Sequence, residues 1–291
     1  MTHRFLLASD IHYTTDLLPS QLKQQFPDAI GSAASGDAFG YTQKQKVDLL
    51  TKAVCDEHEK ANLDAVLFLG DLSIDDYSFR NLPENYCLKF KNECLDRLPC
   101  PYYVIPGNHD SYPNADWMAM FGTDRQHTVA IGDCVFLMLD TFAATPANSA
   151  SGSPLTMIDD AFLQQELHQH AGKKIFICAH HIEHAVFSDR AQQLIAENPD
   201  IKLLFRGHTH INDAIPFADK TLIDIGGYAY NGMCIDGRWE FGIFDPTWAW
   251  GYQILEIDDA ICTYHVKPAL EYHAANGHFS YPKTIENEIR L

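Results

Sequence analysis

Residues 102–110 read Tyr-Tyr-Val-Ile-Pro-Gly-Asn-His-Asp. Residues 102–105 form a short apolar run suited to a strand, and Pro106-Gly107 stops it. The four residues from Gly107 to Asp110 are chemically specific. Gly107 permits a tight turn, Asn108 offers a neutral oxygen, His109 can donate a proton, and Asp110 can orient that imidazole. A strand ending in such a cluster suits an α/β sheet, where ligands bind beyond the carboxyl ends of the strands.

The arrangement recurs along the chain. A strand over residues 4–9 is followed by Asp10-Ile11-His12. Residues 65–69, Ala-Val-Leu-Phe-Leu, suit a strand buried on both faces and lead into Gly70-Asp71. Residues 174–178 lead to His180 and His181, and residues 201–205 to Gly207-His208-Thr209-His210. Asp10 and His12 stand at i and i+2, so an extended strand end points both side chains the same way. Each pair alone has an ordinary reading. A D-x-H pair is expected by chance in a chain with 15 His, Asp71 can be a helix cap, and paired histidines can be solvated surface. Five clusters in this order, each at a strand end, mark a site.

Between these clusters, helical spacing is read over 43–62 (Val47, Leu50, Ala53, Val54), 85–98, 116–121, 159–170 and 189–198. Residues 128–131 and 134–139 read as a hairpin turned at Gly132-Asp133. Short strands come next over 222–225, 239–244, 251–257 and 261–266. Strand–helix alternation and then a strand-rich half predict one α/β domain over 1–291, a four-layer α/β/β/α sandwich of two packed mixed sheets with helices outside. Residues 14–40 read as an inserted polar loop. It begins two residues after His12, and is either a lid over the substrate pocket or surface decoration. Residues 268–291 read as a polar tail.

The chain has 291 residues, with Lys plus Arg 21 against Asp plus Glu 39, a formal net charge of −18. That argues against sequence-blind nucleic-acid binding and against an anionic membrane surface. No apolar run approaches a membrane span, and the run at 5–8 is too short for a signal-peptide core. The 8 cysteines are dispersed, with no C-x-x-C pair, and read as reduced core thiols of a cytoplasmic protein. Nothing in the pattern sets an oligomeric state.

The five clusters resemble the calcineurin-like metallophosphoesterase superfamily, whose pattern is D-x-H, G-D, G-N-H-[DE], a His, then G-H-x-H. The resemblance spans about residues 5–210. It implies two metal ions bridged by Asp71, one held by Asp10, His12, Asp71 and His210, the other by Asp71, Asn108, His180 and His208. The ions would be divalent or mixed-valent, and nitrogen/oxygen ligation without thiolate fits Mn, Fe, Zn or Co alike. The resemblance further implies in-line attack by an activated hydroxide, with His109 as acid at the leaving group and Asp110 holding its ring. Family members often show His-His-Pro or His-Tyr-Pro with the first His ligating. Here Ile182 is third, a departure from that pattern; His180 is taken as the ligand over His181, and His184 as a surface histidine. Ile74 occupies the place of the iron-binding Tyr of purple acid phosphatases, which disfavours that branch. Leu139-Asp140-Thr141, a loop, Ser151-Gly152 and a helix with Leu163 and Leu167 resemble bacterial cyclic-nucleotide and glycerophosphodiester phosphodiesterases. The implied function is hydrolysis of a small phosphorylated substrate, a diester first. A phosphomonoesterase or nucleotidase is the alternative, and a scaffold without catalysis is disfavoured because no ligand is missing.

Overall fold

The structure, a computed structural model, describes residues 2–13, 42–73, 85–142, 154–228, 232–235, 238–241, 251–268, 271–274, 277–280 and 285–291. The inserted loop expected over 14–40 and the Ser151-Gly152 pair lie outside the described residues.

The first six-stranded sheet is built on β1 (His3–Ala8), β2 (Ala65–Leu69) and β3 (Tyr102–Ile105), which run parallel. It continues antiparallel from β1 through β12 (Gly251–Ile257), β13 (Ile261–Pro268) and β16 (Ile285–Arg290). The second has the order β4 (His127–Ile131), β5 (Cys134–Leu139), β6 (Lys174–Ala179), β7 (Ile201–Arg206), β9 (Lys220–Ile225), β8 (Asn212–Phe217). Its core, β5, β6, β7 and β9, is parallel, with antiparallel strands at both edges. Two ribbons, β10 (Gly232–Ile235) with β11 (Arg238–Phe241) and β14 (Glu271–Ala274) with β15 (Gly277–Ser280), lie outside both sheets.

The apolar runs are continuous because each central strand has something dry on both faces. On β1 and β2, Leu6, Ala8, Val66 and Phe68 face a helical layer, packing with Val47, Leu50 and Val54 of α1 (Gln43–Lys60), Phe90 of α2 (Tyr86–Glu93) and Trp117 of α3 (Asn114–Phe121). Their neighbours Phe5, Leu7, Leu67 and Leu69 face the other sheet and meet Phe136, Met138, Phe176 and Phe205. The outer face of the second sheet packs Val135, Leu137 and Ile177 against Leu163 and Leu167 of α4 (Asp160–Gln169) and Ala191 and Ile195 of α5 (Asp189–Glu197). The result is the expected helix, sheet, sheet, helix order. Helix starts obey the capping chemistry of the sequence: Thr42 with Gln45 forms a capping box, and Asp159 and Ser188 accept backbone N–H groups.

The stretch expected to be a polar tail is not one. Residues 285–290 form β16, paired antiparallel with β13 at the sheet edge. An edge strand needs an apolar residue on only one face, so Ile-Glu-Asn-Glu-Ile-Arg reads as polar although Ile289 packs against the inter-sheet core. β8 was equally illegible, because Pro216 and exposed Asp213 fit only an edge.

Candidate metal centre

All five motif loops emerge at one edge of the sandwich. β1, β2 and β3 deliver Asp10, His12, Asp71, Asn108 and His109 from the first sheet, and β6 and β7 deliver His180, His208 and His210 from the second. The backbone stitches them together. Asp10 N–H donates to the Gly70 carbonyl (3.0 Å), His12 N–H to Asp71 (2.9 Å) and Gly207 N–H to His180 (3.1 Å). Across the sheets, His208 N–H donates to Asp10 Oδ2 at 3.0 Å.

Asp10, His12, Asp71, His208 and His210 all adopt left-handed backbone, with φ between 49° and 68°. Non-glycine residues seldom do so, and such conformations cluster where surrounding structure enforces a functional geometry. Two glycines make room. A Cβ at Gly70 (φ +89°) would strike the His180 ring, and one at Gly107 would overlap the Asp71 carboxylate.

His210 Nε2 lies 2.9 Å from Asp10 Oδ1 and 3.4 Å from His12 Nε2. His180 Nε2 lies 3.2 Å from Asp71 Oδ2, 3.2 Å from Asn108 Oδ1 and 3.8 Å from Asp10 Oδ1. His208 Nδ1 is 3.0 Å from Asn108 Oδ1, and His12 Nε2 is 3.7 Å from Asp71 Oδ2. Asp10, His12 and His210 form one group able to hold a metal ion; Asp71, His180 and His208 form a second, and His12, Asp71 and His109 a third. Asp71 Oδ2 faces histidines of both the first and second groups. The His180 Nδ1–H donates to the Leu69 carbonyl at 2.7 Å, which turns the Nε2 lone pair into the cluster, as in metal-bound imidazoles.

The electrostatics fit cations. Burial raises the Asp10 carboxyl, but His210 and His180 outweigh it and hold it well below its usual range. Asp71 is depressed in the same way, with His180 and His109 outweighing burial. Burial lowers His180, yet Asp71 and Asp10 push it up to about 9. His12 is brought down to about 4 and His208 well below its ordinary value, both chiefly by burial. Two ionised carboxylates are thus buried beside His12 and His208, whose neutral imidazoles can ligate.

A calcineurin-like phosphoesterase family model matches residues 3–212, the span holding every one of these clusters. The chain belongs to the calcineurin-like phosphoesterase family. The chain is 25% identical over 170 residues to a probable glycerophosphodiester phosphodiesterase of Arcobacter nitrofigilis. The match covers 52% of the chain and 58% of that protein, so the chain spans little more than half of that relative's length. Its fold is similar to that of a dimetal phosphatase from Danio rerio, with 11% identity, a TM-score of 0.61 and 98% of each chain covered. A putative 5′-nucleotidase from Staphylococcus aureus shares the fold with 14% identity and a TM-score of 0.50, over 89% of this chain and 51% of that one. Among the described residues no helix is long and apolar enough to cross a membrane.

Not every expected role survives. Asp110 does not hold the His109 ring. Its carboxylate accepts the N–H groups of Leu72, Ser73 and Gly107 (each 3.0 Å) and the Ser73 hydroxyl (3.2 Å), which clamps the β2 and β3 loops together. Burial, then the Asp71 carboxylate, push Asp110 up to about 7 against those bonds. His109 is fixed through its backbone, its N–H donating to Asp71 Oδ1 at 2.9 Å, and its Nε2 stands 4.0 Å from Asp71 Oδ2. His181 Nε2 lies 3.3 Å from Glu183, and its ring stands edge-on to His208 with centroids 4.4 Å apart.

Sequence reading missed the brace behind the histidines. Thr209 Oγ1 donates to Asp224 at 2.8 Å, and Arg206 grips the same carboxylate at 2.6 and 3.0 Å while donating to the Ile182 carbonyl. Asp224 sits at the end of β9, so the strand-end rule applied there would have found it.

Proposed function

We propose that the chain is a metal-dependent phosphoester hydrolase that hydrolyses a small phosphodiester with two cations in the cluster. Asp10, His12, Asp71 and His210 would hold one, and Asp71, Asn108, His180 and His208 the other. The observation that carries this reading is the convergence of both sheets on Asp71 Oδ2, which faces His12 on one side and His180 on the other. When bound, such a pair supplies Lewis acidity and a water activated at neutral pH. The chain's own residues do the rest. Asp10 orients His210 and the His208 backbone, and Leu69 orients His180. His109, at the rim with 12% of its side chain exposed, is positioned to give a proton to the leaving alkoxide. Similarity to the probable glycerophosphodiester phosphodiesterase supports a diester. The buried thiols Cys94, Cys134, Cys178 and Cys262 support a reducing, cytoplasmic setting.

The test is a panel of bis(p-nitrophenyl) phosphate, p-nitrophenyl phosphate and a glycerophosphodiester, assayed with Mn, Fe, Zn and Co. A higher kcat/KM for the diesters is expected. A preference for the monoester would replace the reading with a phosphomonoesterase.

A further inference from the structure

A cavity of about 710 Å³ opens at the amino ends of β7 and β9, the ends opposite the histidine loops. Lys202, Lys220 and Arg290 line it together with Ile201, Phe217 and Ile289. In a chain with 21 Lys and Arg against 39 Asp and Glu, three cations share this cavity with one acidic side chain, Asp219.

Two features show that the positive charge is concentrated by the fold. Ile201 pairs with Ile175 but Leu203 with Phe176, so Lys202 is the extra residue of a β-bulge, a device that re-aims a side chain. Leu203 pairs with Thr221, so Lys202 and Lys220, one residue earlier on each strand, are cross-strand neighbours. Like charges so placed repel. Each lysine gives one N–H to the end of α5, Lys202 to the Pro199 carbonyl (2.8 Å) and Lys220 to the Asn198 carbonyl (2.9 Å). The bond to Asn198 caps the helix, and each of the two bonds uses one of three donors on its ammonium. The two carbonyls carry no net counter-charge, and burial, then Lys202, lower the Lys220 pKa. The apolar part is firm: Phe217 is buried and stacks on His184 at 4.9 Å, which Gln192 holds at 2.7 Å.

We propose that this cavity binds a small amphipathic anion, a phosphate or carboxylate head on an apolar body, with Lys202, Lys220 and Arg290 taking the head and Ile201, Phe217 and Ile289 the body. The lysine ammonium is a point charge, so the shared chemistry is the anionic head and not one acid.

The test is calorimetric titration of the metal-loaded full chain with hexyl phosphate, hexanoate, inorganic phosphate and hexanol. The two hexyl acids distinguish phosphate from carboxylate, and hexanol lacks the charge. At least one hexyl anion should bind saturably, hexanol should not, and Lys202→Gln or Lys220→Gln should each weaken binding about tenfold. Arg290→Gln, at an exposed position, gives a variant with little risk to folding and should also weaken it. Hydrolysis of bis(p-nitrophenyl) phosphate by all three variants should be unchanged, which separates this cavity from the catalytic edge. Absence of saturable binding up to about 10 mM, equal binding of hexanol, or undiminished binding by the Arg290 and lysine variants would overturn the proposal.

Discussion

Strand β1 carries charge at both ends, and the two ends are built on opposite plans. At its start, Arg4 donates to Glu57 (2.6 Å), to Glu256 (3.0 Å) and to the carbonyls of Glu57 and Ala61 (2.7 Å each). Glu57 also meets Lys267 at 3.0 Å and Lys60 at 2.9 Å. Every charge there finds its counter-charge within the chain, and the cluster ties β1, α1, β12 and β13. At its far end Asp10 meets no lysine or arginine among the described residues. Its partners are histidines and a backbone N–H, on left-handed backbone. A closed ion network holds elements together. An acidic cluster whose side-chain partners among the described residues are imidazoles is matched to cations supplied from solution.

Substitutions at the two ends should therefore fail differently. The largest effect belongs to Asp71→Asn, which removes the carboxylate shared by both histidine groups. Elemental analysis should show at most one retained ion per chain, and turnover should fall by more than the roughly 10–100-fold typical of changes behind the ligands. Two ions retained at full activity would break the shared-carboxylate reading. Next, His109→Ala should keep its metals yet lose about 10²–10⁴ in rate on alkyl diesters, and much less on p-nitrophenyl esters, whose leaving group hardly needs a proton. Equal losses on both would count against the acid role.

At the other end, Glu57→Gln should leave kcat alone and lower stability in urea by about 2 kcal/mol, less than for a fully buried pair because Lys60 is largely exposed. Burial raises Glu57, but Lys60, Lys267 and Arg4 bring it from 4.5 down to about 2. A lowered carboxyl stabilises the fold fully above its unfolded pKa. Stability should therefore fall as pH drops from 4.5 towards 2 in the native protein and be flatter there in the variant. The smallest effect sharpens the correction at Asp110. Asp110→Asn should cost about 1 kcal/mol by weakening the loop clamp, while the dependence of rate on leaving group stays unchanged. A changed leaving-group dependence would restore Asp110 as a partner of His109.

Periodicity and burial made the strands legible. The runs at 65–69, 102–105 and 251–257 match β2, β3 and β12 residue for residue, and β2, covered on both faces, is apolar throughout. β8 and β16 escaped because one covered face leaves too few apolar residues to form a pattern. In the site, Asp10, His12, Asp71, Asn108, His109, His180, His208 and His210 could be picked from local motifs, since each motif pairs a turn with ligand-type side chains.

The kind of chemistry, and the end of the strands where it gathers, were already written in the order of residues. Which carboxylate does which task was settled in three dimensions. Asp10 and His208 are neighbours in space although 198 residues separate them, and they come from different sheets. Asp71 faces histidines from both sheets, whereas Asp110, beside His109 in the chain, spends its oxygens on three backbone N–H groups and a hydroxyl. Likewise His180 points inward because Leu69 accepts its Nδ1–H, while His181 turns to Glu183. A short-range pattern records which face of an element is buried. It does not record the partner met there, because that contact forms only when the two sheets close on each other.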